Sequence, residues 1–424
     1  MERLIFHIDV NSAYLSWESA RRLKEGKEDL RLIPACIGGD PKKRTGVVLA
    51  KSIPAKRFGI CTGEPMGTAL RKCPQLVIAP PDFSLYQQYS EAFLAICRQY
   101  APALEQFSID ECFLDMTGTR TTYPDPIALA YEIKNVIRDT LGFTVNVGIA
   151  RNKLLAKMAS DFEKPDRVHT LFPDELENKL WPLPVGQLLT VGKTTANKLQ
   201  KAGIATIGDL AQQPAARLQA MLGKKWGIQL HAYANGIDHS PVIDVPQKAK
   251  GYSISTTVED NVSSAEQANH ILLTLADSVS ARMRADGAKT ACIAVSIRSN
   301  DFRNRSHQCK LHQPEDTTQV IYETAKQLFS ALWDRHTPLR LLGISLTDVT
   351  WDENEQLSLF ADPKHEKERK LDRAVDAIRK KYGMDTIARS SFLSFSCFGS
   401  ANKESCSFSS HVTSVREMPS SRSG

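Results

Sequence analysis

The sequence has no run of 18 or more apolar residues and no C-x-x-C pair. The first absence takes a membrane-spanning helix out of consideration. The second, with nine cysteines scattered from Cys36 to Cys406, argues against a zinc ribbon or a disulfide framework. The opening MERLIFHIDV lacks the long apolar stretch and small-residue cleavage site of a secretory leader, so a cytoplasmic protein is expected. No internal repeat of fixed period is present. The nearest approach to a histidine and cysteine metal cluster, His307, Cys309 and His312, reads as a solvated strand. Charge of one sign is not abundant either: 54 Lys and Arg against 48 Asp and Glu leave +6, which permits a polyanion partner without proving one.

What is present is an ordinary globular composition, 42% hydrophobic and 24% charged over 424 residues, enough for about three domains at roughly 150 residues each. ERLIFHID reads as a strand with Leu4, Phe6 and Ile8 on one face, and a helix is expected to start near Asn11. From Ile33 to Pro81 glycine and proline break the text, which suggests a small irregular insertion. LYQQYSEAFLAICRQYAP and PIALAYEIKNVIRDTLG are helical runs on either side of two short strands in FSIDECFLDMTG, and FTVNVGIA is a buried strand. This order fits an α+β unit with helices on one face of an antiparallel sheet.

Within FSIDECFLDMTG, Asp110 and Glu111 interrupt an apolar pattern, and burying one unpaired carboxylate costs several kcal/mol. Adjacent side chains of an extended strand point to opposite faces, so these two acids share a site only where the chain turns. Asp9, at the end of the first strand, supplies a third carboxylate. Three acids on one sheet edge repel unless cations neutralise them. Oxygen ligands without nearby His or Cys favour Mg²⁺ or Mn²⁺, and such sets typically hold two ions about 3.5–4 Å apart. A solvated turn is the plainer alternative.

FHIDVNSAY, SIDECFLD and GIARNKLLAKMASDFEKP, in this order, resemble the motifs of the Y-family lesion-bypass DNA polymerases of the bacterial DinB/UmuC type. The resemblance implies that Asp9, Asp110, Glu111 and the backbone carbonyl of Val10 hold two Mg²⁺ or Mn²⁺ ions. Attack of a primer 3′-hydroxyl on the α-phosphate of a dNTP would follow. Tyr14 falls at the family's steric gate against ribose; a tyrosine packed in a core is the alternative. Lys164 matches a lysine that contacts the triphosphate. Lys153, Lys157 and Lys164 would share one face of a continuous helix, a row that reads equally as a solvated face. SIPAKRFGI resembles the fingers motif in which an arginine and a tyrosine hold the same phosphates. Here Lys56 and Ile53 take those places, which loses the bidentate fork and the hydroxyl. Arg57 either compensates or faces solvent.

Downstream, PVGQLLTVGKTTANKLQKAGIATIGDL resembles the family's thumb, in which two helical patterns meet at a hairpin and Gly192, Lys193 and Thr194 would hold a DNA phosphate. After the linker, strands alternate with two helices like the family's little finger, where Arg298, Arg303, Arg305 and Lys310 crowd one strand pair. Each of these cations is individually as well explained as plain surface. Gln356, Leu357, Ser358, Leu359 and Phe360 resemble a sliding-clamp-binding peptide. A following helix would present Leu371, Val375, Ile378 and Tyr382 on one face for docking, and a Ser-rich segment from Ser390 onward is expected to be disordered.

The implied fold is an α+β right-hand polymerase with palm (1–19 and 80–168), small fingers (20–79), thumb (169–240), linker (241–249), little finger (250–350) and a clamp-binding, largely flexible tail (351–424). The implied activity is low-fidelity, DNA-directed synthesis from dNTPs on primer-template DNA in damage tolerance. A sliding clamp and a UmuD-like accessory subunit are the candidate protein partners, and no membrane is involved. A catalytically weak DNA-binding damage-tolerance factor and a template-free nucleotidyltransferase are the alternatives, and three intact acids favour catalysis.

Overall fold

A computed structural model describes residues 2–40, 46–245, 247–351, 363–383 and 386–387. Gln356–Phe360 and the Ser-rich segment lie outside the described residues. The described residues form two compact units, one up to residue 245 and one from residue 247.

The first unit runs β1 (Ile5–Val10), α1 (Ala13–Lys24), β2 (Ala35–Gly38), β3 (Val48–Lys51), α2 (Ile53–Arg57), α3 (Met66–Lys72), β4 (Val77–Ala79), α4 (Phe83–Arg98), β5 (Ala103–Gln106), β6 (Glu111–Asp115), α5 (Pro126–Leu141), β7 (Val145–Ala150), α6 (Lys153–Ser160) and β8 (Val168–Leu171). Four helices follow: α7 (Lys193–Lys201), α8 (Ile207–Ala211), α9 (Ala215–Leu222) and α10 (Lys224–Ala234). The helix starts carry their own chemistry. Asp82, Asp125 and Asn152 each accept backbone N–H bonds at the heads of α4, α5 and α6, caps worth about 1 kcal/mol apiece.

The main sheet has strand order β5-β6-β1-β7-β8. Its central strand β1 is buried at every residue because side chains alternate between two covered faces. Phe6, Ile8 and Val10 join Cys112, Leu114, Val147 and Ile149 in a core with α4 and α5, while Ile5, Phe113 and Ala150 pack with Leu154, Leu155 and Met158 of α6. Helices therefore cover both faces, not the one face expected, and β8 pairs parallel to β7, so the sheet is mixed. The close approach of α6 has a visible condition: a Cβ on Gly148 of β7 would lie 2.0 Å from the Ala156 carbonyl oxygen and 2.5 Å from the Ser160 nitrogen.

A second, three-stranded sheet, β3-β2-β4, packs with α2 and α3 around Cys36, Val48, Ala55, Ile60 and Met66. Ser52 fastens α2 to it by capping Ala55 N, donating to the Ile33 carbonyl and accepting from Ala35 N. The hairpin expected before α7 is shorter than two helices: Val185–Gln187 form a single 3₁₀ turn ahead of it.

The second unit comprises β9 (Tyr252–Val262), α11 (Ala265–Ala285), β10 (Lys289–Ser299), β11 (Asn304–Glu315), α12 (Thr318–Leu332), β12 (Leu339–Thr350) and α13 (Pro363–Tyr382). Its antiparallel sheet has the order β11-β10-β12-β9, with Leu272, Val279, Ile293, Val295, Phe329 and Ile344 in the core beneath α11 and α12. α13 docks by its charged face, not its apolar one. Arg284 of α11 meets Asp376 at 2.7 Å and Asp372 at 3.3 Å, and Arg379 meets Asp277 at 2.8 Å. Leu371 and Tyr382 remain 58% and 62% exposed. Among the described residues no helix is long and apolar enough to cross a membrane.

Candidate active site

β1 and β6 pair antiparallel with Asp9 opposite Glu111, and Val10 N donates to the Asp110 carbonyl at 3.0 Å. Phe107 to Asp110 form the turn of the β5-β6 hairpin, where the sequence pattern suggested strand, and β6 begins at Glu111. The turn brings Asp110 and Glu111 to the same sheet edge as Asp9.

Period-two alternation puts Ile5, His7 and Asp9 on the face covered by α6. Lys157 of α6, itself buried, donates from Nζ to Glu111 Oε1 at 2.6 Å and to Asp9 Oδ2 at 3.0 Å. Lys164 reaches the same Asp9 oxygen at 3.0 Å and Asp161 Oδ1 at 2.8 Å. It does so from beyond the helix, which ends at Ser160; the continuous helical row expected for Lys153, Lys157 and Lys164 does not form, and Lys153 turns to Glu105 instead. Burial opposes the charge on both Lys157 and Lys164, but the surrounding carboxylates outweigh it and hold both pKa values above the usual lysine range.

His7 completes the floor. Its Nδ1 lies 2.8 Å from Ser160 Oγ, its Nε2 faces Glu111 Oε2 at 3.7 Å, and its ring tilts against Phe113. Full burial, then the charge of Lys157, depress its pKa to about 3, so the imidazole is neutral. Asp110 accepts from Ser108 Oγ at 2.6 Å; burial and then the neighbouring carboxylates Glu111 and Asp9 raise its pKa.

The acids open onto a cavity of about 490 Å³ whose lining includes Asp9, Val10, Tyr14, Asp110 and Glu111 together with Lys51, Ile53, Lys56 and Lys164. Tyr14 is partly buried and stacks on Tyr86 with centroids 4.5 Å apart, edge-on to Phe83. Burial, then the charge of Asp110, raises its phenol pKa. Ile53 is half exposed, and Arg57 is exposed and does not line the cavity.

As the side chains stand, no three Asp, Glu, His or Cys residues among those described converge on one point close enough to share an ion. Lys157 separates Asp9 from Glu111, and Asp110 is turned to Ser108. The donor set nevertheless suits hard divalent ions: three carboxylates on one edge, one of them held towards its neutral form by burial and then by the others, with no His or Cys among the residues that line the cavity.

Away from the cavity, Gly192 starts α7 without a side-chain cap and with open space around its Cα, followed by exposed Lys193 and Thr194. In the second unit, Arg298 at the end of β10 donates to Asn304, Arg303 in the β10-β11 turn pairs with Asp301 at 3.0 Å, and Arg305 on the exposed edge strand β11 approaches Asp334 at 4.0 Å. His307, Cys309 and His312 lie on the same exposed strand. Sequence reasoning missed His7, Ser160 and Lys51; a strand period of two from Asp9 would have pointed to His7.

The mixed sheet with its acidic edge, the small three-stranded fingers, the helical segment after β8 and the four-stranded second unit together define a right-hand nucleotide polymerase. Residues 8–161 match the impB/mucB/samB family, residues 249–359 its C-terminal domain, and residues 186–238 the thumb domain described for DNA polymerase-iota. The chain is 43% identical over 394 residues to DNA polymerase IV of Clostridium acetobutylicum, covering 93% of this chain and 99% of that one. It is 36% identical to DNA polymerase IV 2 of Bacillus subtilis, with 92% and 95% covered. A solved Y-family DNA polymerase chimera shares the fold, with a TM-score of 0.71 at 21% identity over 82% of this chain and 100% of that one. The chain belongs to the Y-family of DNA polymerases, of the DinB type, and is a DNA-directed DNA polymerase.

Proposed function

We propose that this chain is a low-fidelity lesion-bypass polymerase that adds dNTPs to a primer 3′-hydroxyl by a two-metal mechanism at Asp9, Asp110 and Glu111. The observation that carries this reading is the register of Asp9 with Glu111, beside Asp110, on a cavity that Lys51, Lys56 and Lys164 also line. Two Mg²⁺ ions, or Mn²⁺, would be held by the three carboxylates and the Val10 carbonyl. Divalent ions bound there lower the pKa of the primer hydroxyl and offset the charge that develops on pyrophosphate.

The remaining work falls to the chain's own side chains. Lys56 and Lys164 hold the triphosphate. Lys157 keeps Asp9 and Glu111 in place. The Tyr14 ring, fixed by Tyr86 and Phe83, blocks a ribose 2′-hydroxyl and so selects dNTP by clash. Gly192, Lys193 and Thr194 grip a backbone phosphate, and Arg298, Arg303 and Arg305 hold the duplex without reading its sequence. Fingers built from three short strands and helices of five and seven residues offer few contacts to check a nascent pair, which supports low fidelity. The palm, fingers, thumb and little finger follow the bounds given by the sequence reading. Gln356, Leu357, Leu359 and Phe360 recruit a sliding clamp, with a UmuD-like subunit as a further candidate partner, in cytoplasmic damage tolerance.

Primer extension tests the catalytic assignment. Asp110→Ala should lower nucleotide addition by at least about a thousandfold, as expected when transition-state charge stabilisation is removed, while primer-template affinity measured by fluorescence anisotropy stays within twofold. Extension at the wild-type rate would remove the acids from the chemistry.

A further inference from the structure

The lining of the cavity contains a cation to which no role has been given, Lys51. Lys51 ends β3, paired with Cys36 in the fingers sheet, and the next residue, Ser52, is pinned by three hydrogen bonds to Ile33, Ala35 and Ala55. The backbone from which Lys51 projects is therefore fixed, while its stem is free to move. Its Nζ donates to Thr62 Oγ1 at 3.3 Å, a long bond to a neutral group, and among the described residues it has no ion pair. The nearby carboxylate of Glu64 is already taken by Lys72 at 2.5 Å and by Cys61 N at 3.1 Å. Lys56 likewise has no ion pair among the described residues, whereas Lys164 is tied to Asp9 and Asp161.

Ammonium groups without an ion pair among the described residues, lining the cavity that also holds three carboxylates, call for a polyanion between them. Lys56 alone supplies one point charge where a guanidinium fork would supply two parallel bonds, and Ile53 supplies no hydroxyl. Arg57 does not line the cavity. We propose that Lys51 binds the triphosphate of the incoming nucleotide, forming with Lys56 and Lys164 a cradle of three lysines. The inference rests on the reading of this cavity as the dNTP site and goes beyond it by assigning the missing phosphate ligand to β3 instead of α2.

The test compares Lys51→Ala, Lys51→Gln, Lys51→Arg and Arg57→Ala in steady-state primer extension. It adds the inhibition constant of inorganic tripolyphosphate, which carries the charge without base or sugar. Removing one charge-assisted bond to phosphate should raise the dNTP KM about ten- to a hundredfold in the alanine and glutamine variants, with kcat changed less than about threefold. The tripolyphosphate inhibition constant should rise in parallel, Lys51→Arg should restore both, and Arg57→Ala should leave both within twofold. An unchanged KM in Lys51→Ala and Lys51→Gln overturns the assignment. So does a raised KM with unchanged tripolyphosphate inhibition, which marks a fingers residue acting through structure. Wild-type extension that is Asp110-dependent, with Lys51 variants like wild type, rejects this inference alone; absence of dNTP addition by the wild type rejects the reading beneath it.

Discussion

Charge is handled in opposite ways at the acidic edge of the first unit and along β11 of the second. Side chains of Asp9, Glu111 and Lys157 are 9%, 17% and 11% exposed, and Lys157 has carboxylate partners at 2.6 and 3.0 Å. Arg303, Arg305 and Lys310 are 84%, 56% and 78% exposed, with partners at 3.0 to 4.0 Å. Taking ions out of water costs several kcal/mol each and is tolerated only when geometry and pairing are close to complete. Ions left in water cost almost nothing and stay mobile, but salt screens them. The first arrangement suits a site that must hold atoms in fixed positions; the second suits a surface that follows a phosphate backbone of any sequence.

The comparison breaks most visibly at Lys157. Lys157→Met leaves Asp9 and Glu111 close together without their shared ammonium, and removing one partner of a buried pair costs about 3–5 kcal/mol. Urea unfolding of the metal-free protein should show a loss of that size. A loss under about 1 kcal/mol would place Lys157 among the screened surface charges.

Much of the acidic edge was legible because Asp9, Asp110 and Glu111 sit in short motifs whose strand character survives in the text. The cations around them were less so. Lys153 and Lys157 are one helical turn apart and read as a solvated row, yet one reaches Glu105 and the other is buried, because α6 lies across the sheet instead of outside it. Phe107 and Ile109 imitate strand alternation but belong to a turn, held where Ser90 Oγ donates to the Ile109 carbonyl. Parallel pairing of β8 leaves no local signal at all, since its partner lies beyond an intervening helix. On α13 the apolar stripe was the visible feature, while the docking contacts are ion pairs whose partners stand up to 102 residues away, as the separation of Asp277 from Arg379 shows.

Along the β10-β11 hairpin the expected effect is smaller and of another kind. Replacing Arg298, Arg303, Arg305 and Lys310 together by Ala should flatten the slope of log affinity for primer-template DNA against log salt by about 0.9 for each DNA phosphate that is no longer neutralised. Stability and kcat at saturating DNA should stay near wild type. An unchanged slope would show that these cations do not meet phosphates.

The smallest effect belongs to Asp334, close to Arg305. Backbone N–H groups of Thr337 and His336 and the Thr337 hydroxyl donate to its carboxylate, and these bonds hold its pKa down to about 2. The folded value lies below the ordinary 3.8, so the unfolded chain binds the proton first. The contribution is therefore complete above about pH 4 and is lost as pH falls through 2. Asp334→Asn should lower the second unit's melting temperature slightly at pH 7 and leave a smaller difference from wild type at the acid end. A difference that grows towards low pH would reverse the sign assigned here.

Gly148 has no functional group, yet it governs a distance in the proposed catalytic centre. It sits opposite His7 in the β1-β7 register, under the turn of α6 that carries Lys157 and Ser160. Any side chain there acts as a wedge, lifting the helix and with it the ammonium shared by Asp9 and Glu111. The proposed active site therefore extends, as a target for genetic damage, to a position whose whole contribution is to be thin.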